Sequence, residues 1–236
     1  MTIVDIKFDV YSDTPKGRDP DSYSPTLRKQ HQILWSKLLP NGVEFNLDDS
    51  IPRLLHHRSK LGDFSLSSDS IGHTYSKVKS MSHIVDQVPS EEIKSFFSIC
   101  STIGAYIIFP AKKIDNKMTI NGSRGLNRSI KDRFDLTLEC IRCFYINESS
   151  PLNDTFQRYS PFFSLFQDFK GYTDFFLLQD LVEENYLAIK FFLPFNGFDN
   201  PPLPNNVEAY QAYKKNLMDF VKARNQRILN STRTGT

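Results

Sequence analysis

The chain has 236 residues, a formal net charge of +2 and 24% charged side chains. That length supports a core without covalent staples. The near-balanced charge excludes a surface that is basic all over, so any nucleic-acid role must come from a local patch. Aromatic residues make up 13%, with 20 phenylalanines, a globular composition that a disordered chain does not carry. Cys100, Cys140 and Cys143 give an odd count, and no apolar run reaches the length of a signal peptide or a membrane span. The expectation is a cytoplasmic protein with reduced thiols and no membrane partner.

The chain opens on Ile3, Val4, Ile6, Phe8 and Val10, an alternation that predicts a strand. The segment from Ser12 to Ser24 is almost free of apolar residues, yet its prolines and the flanking Tyr11 and Tyr23 predict an ordered loop packed on the body. Ser24 as N-cap before Pro25 starts a helix to about Leu38, closed by Pro40-Asn41-Gly42. Short strand-like stretches follow between Val43 and Lys79, then a helix over 90–100. The run from Thr102 to Phe109 is the strongest strand, with Lys117–Ile120 as its hairpin partner.

The second half reads as helical: 126–145, two short helices meeting at a bend over 151–168, another over 172–182, and a long one from Asn206. Ala188–Leu193 predicts a buried strand, and 230–236 a loose tail. Between positions 156 and 198 there are 14 aromatics, interleaved only with Arg158, Lys170 and Lys190. A base-stacking platform would carry more basic residues, so these read as a phenylalanine-rich core. No repeat or flexible linker divides the chain. The expected fold class is α+β, with strands mainly in the first half, helices mainly in the second, and one mixed core in a single domain over 1–229.

The runs Ser12-Asp13-Thr14-Pro15, Asp19 to Arg28, Leu34 to Lys37 and Leu39 to Gly42 resemble a family of uncharacterised bacterial proteins. Later blocks, Ile120 to Gly125, Asp132 to Arg142 and Gly171 to Asp180, fit the same family. The resemblance spans nearly the whole chain. It implies a bacterial source and one shared architecture, and brings no catalytic residues with it.

The chemistry must therefore come from the residues. The helical wheels put Arg133 at the edge of an apolar arc and Arg224 in the middle of one. A guanidinium in an apolar site should meet an anion or a carboxylate. Asn121 to Arg128 links an expected strand to an expected helix, with Gly122 and Gly125 to turn backbone N–H groups toward an anion and Arg124 and Arg128 as charged donors. Its spacing matches neither the Walker loop nor GxGxxG. His31 shares the inner face of the first helix and is a candidate acid/base, with Asp13, Asp19 and Asp21 near in sequence to orient it; a satisfied core histidine is the competing reading.

Asp135 and Glu139 stand one turn apart and could ligate a metal, but an exposed polar face explains them more simply, and no histidine spacing marks a metal site. The Cys140–Cys143 pair lies within a helical pattern and reads as packing. Two functions stay open. One is binding of, or chemistry on, a phosphate-bearing small molecule or nucleic acid through Arg124, Arg128, Arg133 and Arg224. The other is a non-catalytic interaction module whose arginines pair internally. Arginines gathered around one cleft would favour the first, and scattered, paired arginines the second. The residues name no cofactor and no oligomeric state.

Overall fold

In the computed structural model the described residues are 4–233. The chain first forms α1 (Pro20–Tyr23) and α2 (Pro25–Trp35). Their junction is tightly capped: Ser24 Oγ accepts from Leu27 N at 3.0 Å, and the Asp13 carboxylate accepts from the Ser24 hydroxyl at 2.6 Å and Thr26 N at 2.9 Å. Two orphan donors at the helix start are thereby satisfied, and the polar Ser12–Ser24 segment is fastened to the body. The strands β1 (Lys37–Leu38) and β2 (Glu44–Phe45) form a small antiparallel ribbon.

The main sheet contains β3 (Leu55–Ser59), β4 (Gly62–Ser70) and β5 (Tyr106–Pro110), all antiparallel with β4 in the middle. Ser68 pairs with Ile108 and Asp69 with Ile107. Every residue of β5 is buried. Between β4 and β5 lie α3 (Ser82–Val85) and α4 (Ser90–Cys100), and after β5 come α5 (Ile120–Leu126) and α6 (Phe134–Tyr145). Three short helices, α7 (Asn153–Arg158), α8 (Ser160–Ser164) and α9 (Phe169–Phe175), lead to the long α10 (Val207–Arg233).

The aromatic run packs inward: Phe156, Phe162, Phe163, Phe166, Tyr172 and Phe176 are buried and meet one another through tilted and edge-on ring contacts. Along α10, Tyr210, Tyr213, Leu217, Val221, Arg224 and Ile228 make one buried stripe, resting on α4 and the turn before β5. The fold is α+β, with all strands in the first half and most helical residues later.

Several local expectations change. Residues 4–10 form turns and no strand, and residue 3 lies outside the described set. Lys117–Ile120 is not a hairpin partner of β5, which pairs with β4. The periodic stretch 126–145 breaks in two, because Lys131 and Asp132 adopt left-handed backbone (φ 48° and 60°) and α6 begins only at Phe134. Ala188–Leu193 makes only an isolated bridge, Ile189 to Val182. The last helix continues to Arg233, so 230–233 is helical, and 234–236 of the expected tail lies outside the described residues.

Candidate functional site: an acid–base cavity beside β4

The inward arginines do not meet one another around a cleft. Arg124 is fully buried on α5. Its Nη1 pairs with Asp69 Oδ2, its Nε donates to Thr137 Oγ1 at 2.9 Å, and its Nη2 lies 3.4 Å from Ser70 O and 3.5 Å from Asp132 O. Arg133 caps α6 and is held by Asp135 through both oxygens, with Nη1 donating to Pro202 O at 2.7 Å. Asp135 also accepts from Phe192 N at 2.9 Å. Arg128 is exposed.

Arg224 departs from the sequence expectation, since its guanidinium meets neither an anion nor a carboxylate. It donates to Gly104 O (2.9 Å), Tyr106 O (2.7 Å) and Phe176 O (2.9 Å). Phe176 is the C-cap of α9, so its carbonyl is one of the acceptors that a helix end leaves open, at the negative end of the helix dipole. Burial lowers the Arg224 pKa to about 9.

The expected glycine-rich anion loop is also different. Gly122 and Gly125 lie inside α5, with Thr119 as N-cap. Gly125 serves close packing, because a Cβ there would come within 3.0 Å of Asp132 Oδ2. Asp135 and Glu139, expected on an exposed face, are buried; Glu139 is held by Arg142 at 2.8 Å through both oxygens. Cys140 and Cys143 are free, buried thiols whose pKa values burial pushes up, that of Cys143 to about 11. Among the described residues no cluster of three His, Cys, Asp or Glu side chains is placed to hold a metal ion.

The residues that converge on one open space are others. A cavity of 410 Å³ lies where α1, the end of β4, the 71–78 loop, the end of α4 and the 131–132 turn meet. Asp19, Asp21, Asp132, His73 and Ser70 supply its polar wall, Tyr75 and Tyr106 line it, and Lys77 and Lys131 stand exposed at its rim. Tyr11 and Phe97, whose rings lie 4.9 Å apart, form an aromatic lip. Two buried atoms here, Asp21 Oδ1 and His73 Nε2, have no hydrogen-bond partner.

The scaffold holds these groups rigidly. Tyr213 and Tyr210 of α10 donate to the carbonyls of His73 (2.9 Å) and Thr74 (2.6 Å). Tyr75, itself left-handed at φ 55°, donates to Lys131 O at 2.9 Å. Three bulky left-handed residues, Tyr75, Lys131 and Asp132, thus meet at one wall. Such backbone strain persists only where surrounding contacts enforce it.

Electrostatics divide the groups. Burial first, then the neighbouring Asp69 and Asp19, raise Asp21 well above the usual carboxylate range, although the Ser68 hydroxyl and Arg124 oppose this. Asp69 is raised to about 6 by burial; Arg124 pulls it down and Asp132 pushes it up. Burial lowers His73, with Asp132 opposing. Burial thus favours the protonated form of Asp21 and the neutral form of His73, which sets a would-be proton donor and a would-be acceptor on one cavity.

His31, the sequence candidate for acid/base work, sits behind this wall. Its Nδ1 accepts from Trp35 Nε1 at 2.9 Å and its Nε2 lies 3.0 Å from Ser68 Oγ. Burial and Arg224 lower its pKa to about 3. Sequence reasoning placed Asp21 in the right neighbourhood but passed over His73, Asp69 and Asp132. No spacing rule joins positions so far apart, and the only available signal was a polar, proline-rich segment too well anchored to be a plain loop.

The fold is thus an α+β body that presents a polar cavity lined by carboxyl and imidazole groups beside its central strand. The chain belongs to a family of unknown function (DUF6994), which matches residues 4–228. No curated protein and no solved structure matches it.

Proposed function

We propose that the chain binds a small polar molecule in the cavity beside β4 and has the groups for acid–base chemistry on it. The observation that carries this is the pair of buried, unpartnered atoms, Asp21 Oδ1 and His73 Nε2, on one 410 Å³ cavity. Buried polar atoms are almost always paired, and two exceptions in one concave site mark where a ligand would complete the bonding. The volume suits a molecule of monosaccharide or nucleoside size. Four carboxyl groups in or beside the wall, Asp19, Asp21, Asp69 and Asp132, make the interior hostile to an anion. A neutral or cationic ligand with hydroxyl or amino groups fits it better.

The phosphate reading survives only in altered form. Arg124, Arg133 and Arg224 are occupied by the protein's own groups, so a phosphate would sit at the rim, near the exposed Lys77 and Lys131, with the rest of a nucleotide inside. That internal pairing supports a structural role for the three arginines, as the interaction-module reading supposed. No helix of the described residues is long and apolar enough to cross a membrane. A cytoplasmic, bacterial setting belongs to the same proposal, supported by three free cysteines and by the family resemblance.

The test is a thermal-shift screen of hexoses, aminosugars, nucleosides and small amines beside their phosphorylated counterparts, since a ligand raises the melting temperature by mass action. A non-phosphorylated member should stabilise the parent and lose its effect in His73→Leu. Stabilisation by phosphorylated members alone, no stabilisation by any member at millimolar concentration, or an undiminished effect in His73→Leu, would overturn the proposal.

A further inference from the structure

A second pocket, of 440 Å³, opens between the β1–β2 turn and α9 and shares no lining residue with the cavity beside β4. Its wall carries the half-buried Lys37, whose Nζ donates to Phe175 O at 2.5 Å. The same nitrogen stands 4.5 Å from the centre of the Phe175 ring and 5.1 Å from that of Trp35. Two acids line this pocket, and both are engaged elsewhere. Asp174 accepts from Lys170, Gln179 and Tyr186, and Asp168 caps α9 through Gly171 N. Among the described residues no carboxylate forms an ion pair with Lys37.

A second cation stands close by. Arg224 donates to Phe176 O, the next carbonyl along, and its guanidinium lies 5.8 Å from the centre of the same Trp35 ring. Two cations thus share one indole and two successive carbonyls at the end of α9, neither with a carboxylate partner. The carbonyl and the ring faces favour a charged amine, while burial and the neighbouring guanidinium oppose it. Where two cations crowd, the weaker base gives up its proton first, and lysine is a far weaker base than arginine. Burial first, then Arg224, lower Lys37 to about 8, against an upward pull from Asp174.

We propose that Lys37 is a nucleophilic amine and that the pocket beside it takes a small uncharged aldehyde or ketone, held as an imine. Apolar surroundings and a second cation are the two settings that activate a lysine for this chemistry, and Lys37 has both. Once Lys37 is neutral, Asp168, Asp174 and Lys170 leave no net positive charge for an anion, whereas Leu38, Pro40 and Phe175 offer apolar surface. The amine lone pair forms a bond to the carbonyl carbon. The C=O π pair moves to oxygen, which gains a proton as nitrogen loses one. Departure of that oxygen as water leaves the C=N bond, and water reverses the sequence. Nothing is oxidised or reduced.

The test treats full-length protein with benzaldehyde and with sodium cyanoborohydride, which reduces any imine to a stable secondary amine that peptide mapping locates. At pH 7 Lys37 should be alkylated about tenfold or more faster than the exposed Lys60 and Lys113. Its rate should also saturate with benzaldehyde, where theirs climb linearly. Trace acetylation with acetic anhydride should titrate at about pH 8 for Lys37 and at about pH 10.4 for the exposed lysines. Lys37→Arg keeps the charge but removes the nucleophile, and should abolish the saturable adduct alone. Equal alkylation rates, a Lys37 rate that never saturates, or an ordinary lysine titration at Lys37 would each overturn the proposal. These three readings come from the unsubstituted protein, so they stand even if Lys37→Arg does not fold.

Discussion

Of the places where this molecule buries ionisable side chains, two differ sharply in completeness. At the corner between α6 and the loops at 192 and 202, Arg133 and Asp135 answer each other, and Pro202 O and Phe192 N–H take up further valences. In the cavity beside β4, Asp21 and His73 sit among carboxyl groups, each with one atom unanswered. Burial of charge does not separate function from structure here, because both places have it. Saturation of hydrogen bonds does. On the proposed reading the closed set holds the fold together, and the open set is completed by a ligand.

The largest effect should come from opening the closed corner. Arg133→Met leaves Asp135 in an apolar site without its counter-charge and should cost about 3–5 kcal/mol. Denaturant unfolding measures it. A cost below about 1 kcal/mol would mean the corner is not structural, and the contrast with the cavity would collapse. Arg224→Met should cost less, about 1–3 kcal/mol, because it strands carbonyl oxygens at Gly104, Tyr106 and Phe176 but no carboxylate. Its cost should hardly change between mildly acidic and neutral pH, and any ligand found in the screen should bind this variant as tightly as the parent.

Acid sharpens the comparison from the other side. His31 has a folded pKa of about 3 against about 6.5 unfolded, so below neutrality the unfolded chain takes up the proton first. Its contribution is full above pH ~6.5 and is lost as pH falls toward 3, at about 1.4 kcal/mol per pH unit. His73 is lowered too and acts in the same direction. Asp69 opposes them: raised from the usual carboxylate value to about 6, it favours the folded state at low pH and loses that contribution as pH rises toward 6. His31→Gln, whose amide can replace both ring bonds, should therefore flatten the fall in stability below pH ~6 by about 1.4 kcal/mol per unit. An unchanged slope would show that His31 is not held neutral.

These contrasts also explain what could be read from the sequence. The start of α2 was legible because its signals are local: Ser24 caps, Pro25 follows, and Leu27, Leu34 and Trp35 share a face. The aromatic core was legible from density and from the scarcity of interleaved basic residues. The break at Lys131–Asp132 was not, because its causes lie elsewhere in the chain: Tyr75 bonding Lys131 O, and the Asp132 carboxyl resting against Gly125. The buried arginines stood out by type and position, but apart from Asp135, two residues after Arg133, their partners are backbone carbonyls and the distant Asp69, which no wheel displays. His31 and Asp21 were both in view as an acid–base neighbourhood. What holds His31 is Ser68, on a strand far along the chain, and what shares the cavity with Asp21 is His73, from a loop beyond that strand.

In acid the smallest effect should come from Asp21→Asn, and it bears most directly on the open region. If Asp21 is a neutral acid in the folded protein, an amide reproduces it closely. The amide nitrogen carries a hydrogen to donate, as the neutral carboxyl would. Below about pH 4, where the carboxyl is protonated in both states, stability should then shift by no more than about 0.5 kcal/mol, the range of a substitution that breaks no buried bond. Near neutral pH a gain is the expected sign, since Asn takes up no proton on folding and the folded state no longer has to hold a carboxyl that burial, Asp69 and Asp19 raise. Binding of a ligand that accepts from this position should survive, whereas proton transfer to it should not, because an amide does not give up its hydrogen at this pH. Loss of more than about 2 kcal/mol would place Asp21 with Asp135, as a carboxylate whose charge the fold requires.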